Sequence, residues 1–288
     1  MCIELKKNIY NAKKVIKIMK FLSSSIDDNP DIQVIPLGQN SFVIQDGSLL
    51  VGTKQRVALP LVKSLIKGAP NVQYLTYSGT ANGFGAVAVA YAAFRLGIRV
   101  RVFLNSSENV RIVERTRQIC TLLALGAEVF LCDSYNEAKE LKYRFVDSSP
   151  QGAVFMVPMG LLTPQMPILL SKQILKASHS YTSQLSSANI WLVAGTGGIL
   201  QALVKAFPKA IFHVLLTGAG KYKKNAIQFV HSHKNVHIIR CDRGLEEEER
   251  NNITLYDSVK GYDDRIVPYF LKYADMNNIN YIWNVGTD

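Results

Sequence analysis

The stretch VAGTGGILQAL, residues 193–203, decides how this chain is read. An apolar run ending at Val193 enters Gly195, Thr196, Gly197 and Gly198, and a helix-patterned apolar segment follows. A strand that turns into a helix through such small residues leaves backbone N–H groups unpaired at the helix start. There they and the helix dipole attract an anion such as phosphate. The same residues also suit a tight strand-to-helix turn that needs glycine only for its backbone angles. Taken alone, the turn leaves both readings open.

Outward from this turn, short β-rich runs at 41–46, 72–77, 99–104, 127–132, 153–158, 189–194, 211–216 and 236–240 alternate with helix-like segments. Those segments lie near 55–67, 84–96, 109–125, 135–147, 163–178, 197–207 and 222–233. The alternation predicts an α/β fold of βαβ units, with mainly parallel sheets flanked by helices. Ligands of such sheets sit at the carboxyl ends of the strands. Two further small-residue turns fall there: DGSLLVGTKQR (46–56) and YSGTANGFG (77–85).

Composition narrows the classes of function. The chain has 288 residues, 48% hydrophobic and 19% charged, enough for one large α/β domain or two lobes. No apolar run reaches the ~18–20 residues of a membrane span. The lysine-laden N-terminus, MCIELKKNIYNAKKVIKIMKFL, predicts an amphipathic basic helix rather than a signal peptide. The cysteines at 2, 120, 132 and 241 have no metal-ligand or disulfide-framework spacing, so no metal is expected and a reducing, cytoplasmic location fits. His231 and His233 are read as the exposed end of a helix rather than a metal pair. A net charge of +11 attracts anionic partners. Without an aromatic-interleaved basic strip, nucleic-acid binding is expected only as non-specific attraction by charge.

The three turns, in this order, resemble the fold-type II pyridoxal-phosphate (PLP) enzymes, and most of all the 1-aminocyclopropane-1-carboxylate (ACC) deaminase and D-cysteine desulfhydrase branch. QDGSLLVGTKQRVALPLV (45–62) is similar to that branch's lysine segment. YSGTANGFGAVAVAYAAFRLGIRVRVFL (77–104) is similar to its asparagine loop, helix and following strand. ERTRQICTLLALGAEVFLC (114–132) resembles the Arg-rich helix and strand of the whole fold type. The resemblance runs from about residue 34 to the C-terminus and is loose over the last fifty residues.

The resemblance implies that Lys54 holds PLP as a Schiff base. An imine needs a deprotonated lysine. The start of a helix disfavours a cation by only ~0.3–1 kcal/mol, less than the ~1.36 kcal/mol of one pKa unit. Desolvation would have to supply the larger shift. Asn82 is implied to hydrogen-bond the cofactor's ring oxygen, although an asparagine there also suits a helix N-cap. Ser78 and Thr80 are the candidates for a hydroxyl that the branch often carries where this chain has Ala81. Gly195, Thr196, Gly197 and Gly198 would cradle the phosphate, with Ile199 standing where relatives often have another hydroxyl. Tyr256 and Tyr262 are the candidate catalytic tyrosines near the substrate. Thr287, or alternatively Asp288, would face the pyridine nitrogen. The chain stops where relatives continue through another helix, so a shortened C-terminus is expected.

The fold-type II resemblance implies a tryptophan-synthase-β-like pair of lobes with PLP between them. Residues 1–71 with 166–288 would carry the lysine and the phosphate loop, and 72–165 the asparagine loop. A homodimer is implied. The expected activity is deamination or elimination on a small amino acid, releasing ammonia and a keto acid. Dehydratase- or synthase-like β-chemistry is the near alternative. A catalytically degenerate binding module, or a basic nucleic-acid-associated protein, are the alternatives from other classes.

Overall fold

The computed structural model describes residues 2–5, 27–106, 113, 116–217, 220–242, 256–258 and 262–286. The chain divides into two compact units, one of residues 1–28 with 54–163 and the other of residues 29–53 with 164–288.

The first unit carries β1 (Ile3–Leu5), β4 (Tyr74–Thr80), β5 (Arg99–Asn105), β6 (Glu128–Cys132) and β7 (Val154–Met156) in the order β1-β6-β5-β4-β7. All pairs are parallel except β1 with β6. Its helices are α1 (Gln55–Leu65), α2 (Phe84–Leu96), α3 (Arg117–Ala124) and α4 (Tyr135–Asp147). FGAVAVAYAAFRL in α2 is apolar on nearly every face, and ten of its residues, Phe84 to Ala93, are buried. Such a helix is held by packing on all sides rather than by one stripe. It stops at Gly97, whose φ of 67° is the left-handed cap that glycine adopts without penalty. By contrast α4 buries only Ala138 and relies on its cap. The Ser134 hydroxyl accepts the Glu137 N–H at 3.1 Å, and the Glu137 carboxylate reaches back to the Asp133 N–H at 2.8 Å.

The second unit carries β2 (Val34–Gly38), β3 (Ser41–Ile44), β8 (Asn189–Ala194), β9 (Ile211–Leu216), β10 (Val236–Ile239) and β11 (Asn280–Trp283) in the order β10-β9-β8-β11-β3-β2. Only β2 runs antiparallel to its neighbour. Its helices are α5 (Met166–Ala177), the short α6 (Thr182–Leu185), α7 (Gly198–Ala206), α8 (Gly220–His231) and α9 (Val267–Tyr273). The central strands β8 and β11 are buried along nearly their whole length, as a parallel sheet covered on both faces requires.

The alternating strands and helices expected from the sequence are present, with ends shifted by a few residues. Three strands escaped it. β2 is a mostly exposed edge, and β11 is only four residues long, set between asparagines. The third corrects the N-terminal helix expectation: Ile3–Leu5 pairs with β6 as an edge strand, and residues 6–26 lie outside the described residues. The helix expected over 109–125 is described from Arg117, where Thr116 caps it by accepting the Ile119 N–H; residues 107–112, 114 and 115 lie outside the described residues. β1, paired with β6, and α1, packed on α2, belong with 72–163, whereas the sequence reading grouped residues 1–71 with 166–288. Asp28 is drawn to the same unit by the Tyr91 hydroxyl and by Arg95, 2.5 Å away.

On one face of the second sheet, Trp191 and its register partner His213 stack with centroids 4.1 Å apart, and Phe270 meets Trp191 edge-on. Burial, and then the neighbouring His237, lower His213 to about 4. The folded pKa lies below the unfolded one, so the unfolded chain takes the proton first. Stability is therefore full above about 6.5 and falls as the pH drops to about 4. His213→Gln should remove on the order of 1 kcal/mol of that acid-side loss, after allowance for solvent screening. Urea unfolding of both proteins at pH 7 and pH 4.5 measures it; equal slopes with pH would contradict it.

Candidate functional site

Because β3, β11, β8, β9 and β10 are parallel, their carboxyl ends meet one edge of the second unit's sheet. The loops leaving that edge hold most of the candidate residues. After β8 the chain passes Gly195 and Thr196 into Gly197, whose φ is +81° and which opens α7. A side chain at Gly197 would press on Ala226 at 3.3 Å, so glycine there answers both to backbone angle and to helix packing. A helix start without a capping side chain presents its first N–H groups to an anion.

Tyr262 completes this turn. Its hydroxyl lies 3.1 Å from where a Gly195 side chain would begin, accepts the Gly195 N–H and hydrogen-bonds with Thr217, the residue just after β9. Burial, with a further push from Asp263, raises the Tyr262 hydroxyl above the ordinary tyrosine range, so it keeps its proton. A phenol oxygen that accepts hydrogen bonds still has its own O–H to give. The uncapped N–H groups of the turn and the Tyr262 O–H are donors of the kind that suit a phosphate group.

The lysine turn is pinned at the same edge. Gly52, at φ +63°, lies so close to the end of β11 that an added side chain would come within 2.1 Å of the Val285 carbonyl oxygen. Thr53 donates its N–H to that carbonyl at 3.1 Å, and its hydroxyl accepts the Trp283 indole N–H, also at 3.1 Å. Thr53, Trp283 and Val285 are all buried. Lys54 follows at once as the N-cap of α1, where the sequence placed it, and is half-buried.

Beyond β11 the chain is held by a carboxylate. Asp263 Oδ2 accepts the Gly286 N–H at 3.0 Å in a buried setting. Asn284 donates to Gln45 at 2.8 Å and to the Asp257 carbonyl at 2.7 Å. Tyr256 is buried beside Asp263 and Asp264, and burial together with those carboxylates pushes its hydroxyl well above the usual range. Thr287 and Asp288 lie outside the described residues. Thr217 and Asp263 have no signal in the sequence, because a threonine after an apolar run or one aspartate of a pair has no pattern of its own.

In the first unit, Ser78 and Thr80 lie at the carboxyl end of β4, the serine buried and the threonine exposed, and Asn82 follows in an exposed turn. Gly83, not Asn82, is the N-cap of α2. The segment is shaped by Tyr77, whose ring fills the space that side chains at Gly79 and Gly85 would take, with its hydroxyl accepting the Gly160 N–H at 3.1 Å. Among the described residues, no group of three His, Cys, Asp or Glu could hold a metal ion, and no helix is long and apolar enough to cross a membrane.

Comparison with solved structures places this architecture. An ACC deaminase homologue matches with a TM-score of 0.64 at 14% identity, over 94% of each chain. A pyridoxal 5'-phosphate-dependent aspartate racemase matches with a TM-score of 0.62 at 13% identity, over 99% of this chain and 97% of that one. The apo form of diaminopropionate ammonia lyase from Escherichia coli gives 0.60 at 15% identity, over 96% and 87%. The chain has the fold of the fold-type II pyridoxal-phosphate enzymes. No protein-family model and no curated protein sequence matches it. Within this fold, the tightest contact at the lysine turn is backbone on backbone. Gly52→Ala should cost about 3 kcal/mol, from the left-handed φ and the clash with the Val285 carbonyl. Thermal unfolding against wild type measures it, and an unchanged midpoint would show that the turn is not pinned there.

Proposed function

We propose that this chain is a PLP-dependent enzyme acting on a small amino acid, a lyase or deaminase that releases ammonia and a keto acid. The observation that carries this reading is the glycine turn after β8, which opens α7 with no capping side chain and is closed by the Tyr262 hydroxyl. It is supported by the fold shared with an ACC deaminase homologue and an ammonia lyase. The ACC deaminase and D-cysteine desulfhydrase branch is the closest reading of the three turns.

In this reading Gly195 to Gly198 and the Thr196 hydroxyl would hold the phosphate, and Lys54 would hold the cofactor's carbonyl carbon. Asn82 would hydrogen-bond the ring oxygen, with Ser78 or Thr80 as the candidate hydroxyl, and Thr287 is the candidate for the ring nitrogen. Bound PLP supplies an electron-withdrawing ring that stabilises negative charge at the substrate Cα. Lys54 Nζ would be the base that moves a proton at the substrate Cα. Tyr262, with its proton retained, donates to the phosphate and so restores a hydroxyl contact at the loop where Ile199 has none. Tyr256 stays a neutral hydroxyl next to the two carboxylates. Ala81 and Ile199 are the residues that favour the rival reading, a binding module that keeps the fold without catalysis.

Purified protein supplied with PLP should show a visible absorption band that borohydride removes, and Lys54→Ala should lack it. Ammonia and keto-acid release should then appear with one or more small amino acids. A folded protein without the band would leave the binding-module reading in place.

Tyr262→Phe should weaken PLP binding by roughly ten- to a hundred-fold, the worth of one hydrogen bond to a charged group, while leaving the band's position unchanged. Titration of cofactor fluorescence measures it. Tighter binding would mean that the hydroxyl competes with the phosphate for the Gly195 N–H.

A further inference from the structure

The edge of the first unit's sheet holds a pair of thiols outside the proposed site. β1 runs antiparallel to β6 with Ile3 opposite Leu131, which sets Cys2 opposite Cys132. Their sulfurs are 3.2 Å apart. A disulfide needs the sulfurs at ~2.0 Å and the Cα atoms about 4.4–6.8 Å apart. Residues opposite one another in an antiparallel pair lie roughly 4.5–5.5 Å apart at Cα. Closure therefore asks for about 1 Å of sulfur travel, within reach of small side-chain rotations. Cys120 is buried elsewhere and Cys241 is exposed in the other unit, so neither competes for this geometry.

The geometry points to a reversible disulfide between Cys2 and Cys132, formed by exchange with a low-molecular-weight disulfide such as oxidised glutathione. Cys2 is half-buried, whereas Cys132 is 3% exposed and packed against Phe103 and Ala138. The oxidant therefore meets Cys2 first. The Cys2 thiolate attacks one sulfur of oxidised glutathione, the S–S bond breaks, and one glutathione thiolate leaves. The Cys132 thiolate then attacks the Cys2 sulfur and expels the second glutathione. Two protein thiols are oxidised, one disulfide is reduced to two glutathione thiols, and the two protons lost by Cys2 and Cys132 end on the two glutathione thiolates. Burial foremost, with Glu137 and Asp133 adding to it, raises both thiols, so thiolate is scarce at neutral pH and the exchange is slow. The bond would staple to the sheet an edge strand whose ladder is only three residue pairs long.

The test uses the full chain in its folded state, reduced and then incubated with oxidised glutathione. Non-reducing peptide mapping by mass spectrometry should find the Cys2 peptide joined to the Cys132 peptide, two hydrogen atoms lighter than their sum and separated again by a thiol reductant. The oxidised protein should melt about 5 °C or more above the reduced one, a shift absent in Cys2→Ser. A glutathione adduct that persists on Cys2 beside a free Cys132 thiol would overturn the inference. So would linkage of either thiol to Cys241, or complete alkylation of both thiols after the incubation.

Discussion

The site depends on one close contact, that of the Gly52–Thr53 turn with the end of β11. There is no room for a side chain between Gly52 and the Val285 carbonyl, and the Thr53 N–H takes that same carbonyl. The Trp283 indole then satisfies the Thr53 hydroxyl inside the protein, so no buried donor or acceptor of that trio is wasted. A backbone-to-backbone contact of this kind has no soft side chain to absorb an error. It fixes where Lys54 begins α1, and it does so with residues more than two hundred positions away in the sequence.

The parallel order of the second sheet turns that local contact into a shared edge. Strands β3, β11, β8 and β9 are neighbours, so the lysine turn, the Asp263-held turn, the glycine turn and Thr217 all leave the sheet on the same side. Parallel connections return each strand to the same starting end, which is why strands far apart in sequence deliver their turns together. Backbone N–H groups there are taken by side chains, Gly286 by the Asp263 carboxylate and Gly195 by the Tyr262 hydroxyl. Burial keeps the tyrosine hydroxyls protonated, so each retains its O–H at neutral pH.

The helices and strands with a clear period were legible in the sequence, from FGAVAVAYAAFRL in α2 to NIWLVA in β8. The elements that were not legible are those whose identity is set by neighbours. Ile3–Leu5 sits in a lysine-rich helical pattern but pairs with β6, because an edge ladder there buries Leu5 and brings Cys2 beside Cys132. The loosely matching segment points Tyr262 to the substrate; that its hydroxyl meets the glycine turn is visible only in the tertiary structure.

By itself the sequence determined the α/β alternation, the three small-residue turns after strands and the glycines within them. Each of these is a local property, set by side-chain periodicity or by the backbone angles that glycine permits. Tertiary structure alone decided that Val285 pins the lysine turn, that Tyr262 and Thr217 meet Gly195, and that Asp263 holds Gly286. Those pairings join residues far apart in the chain through strand order and burial, and neither is written in the spacing of any single segment.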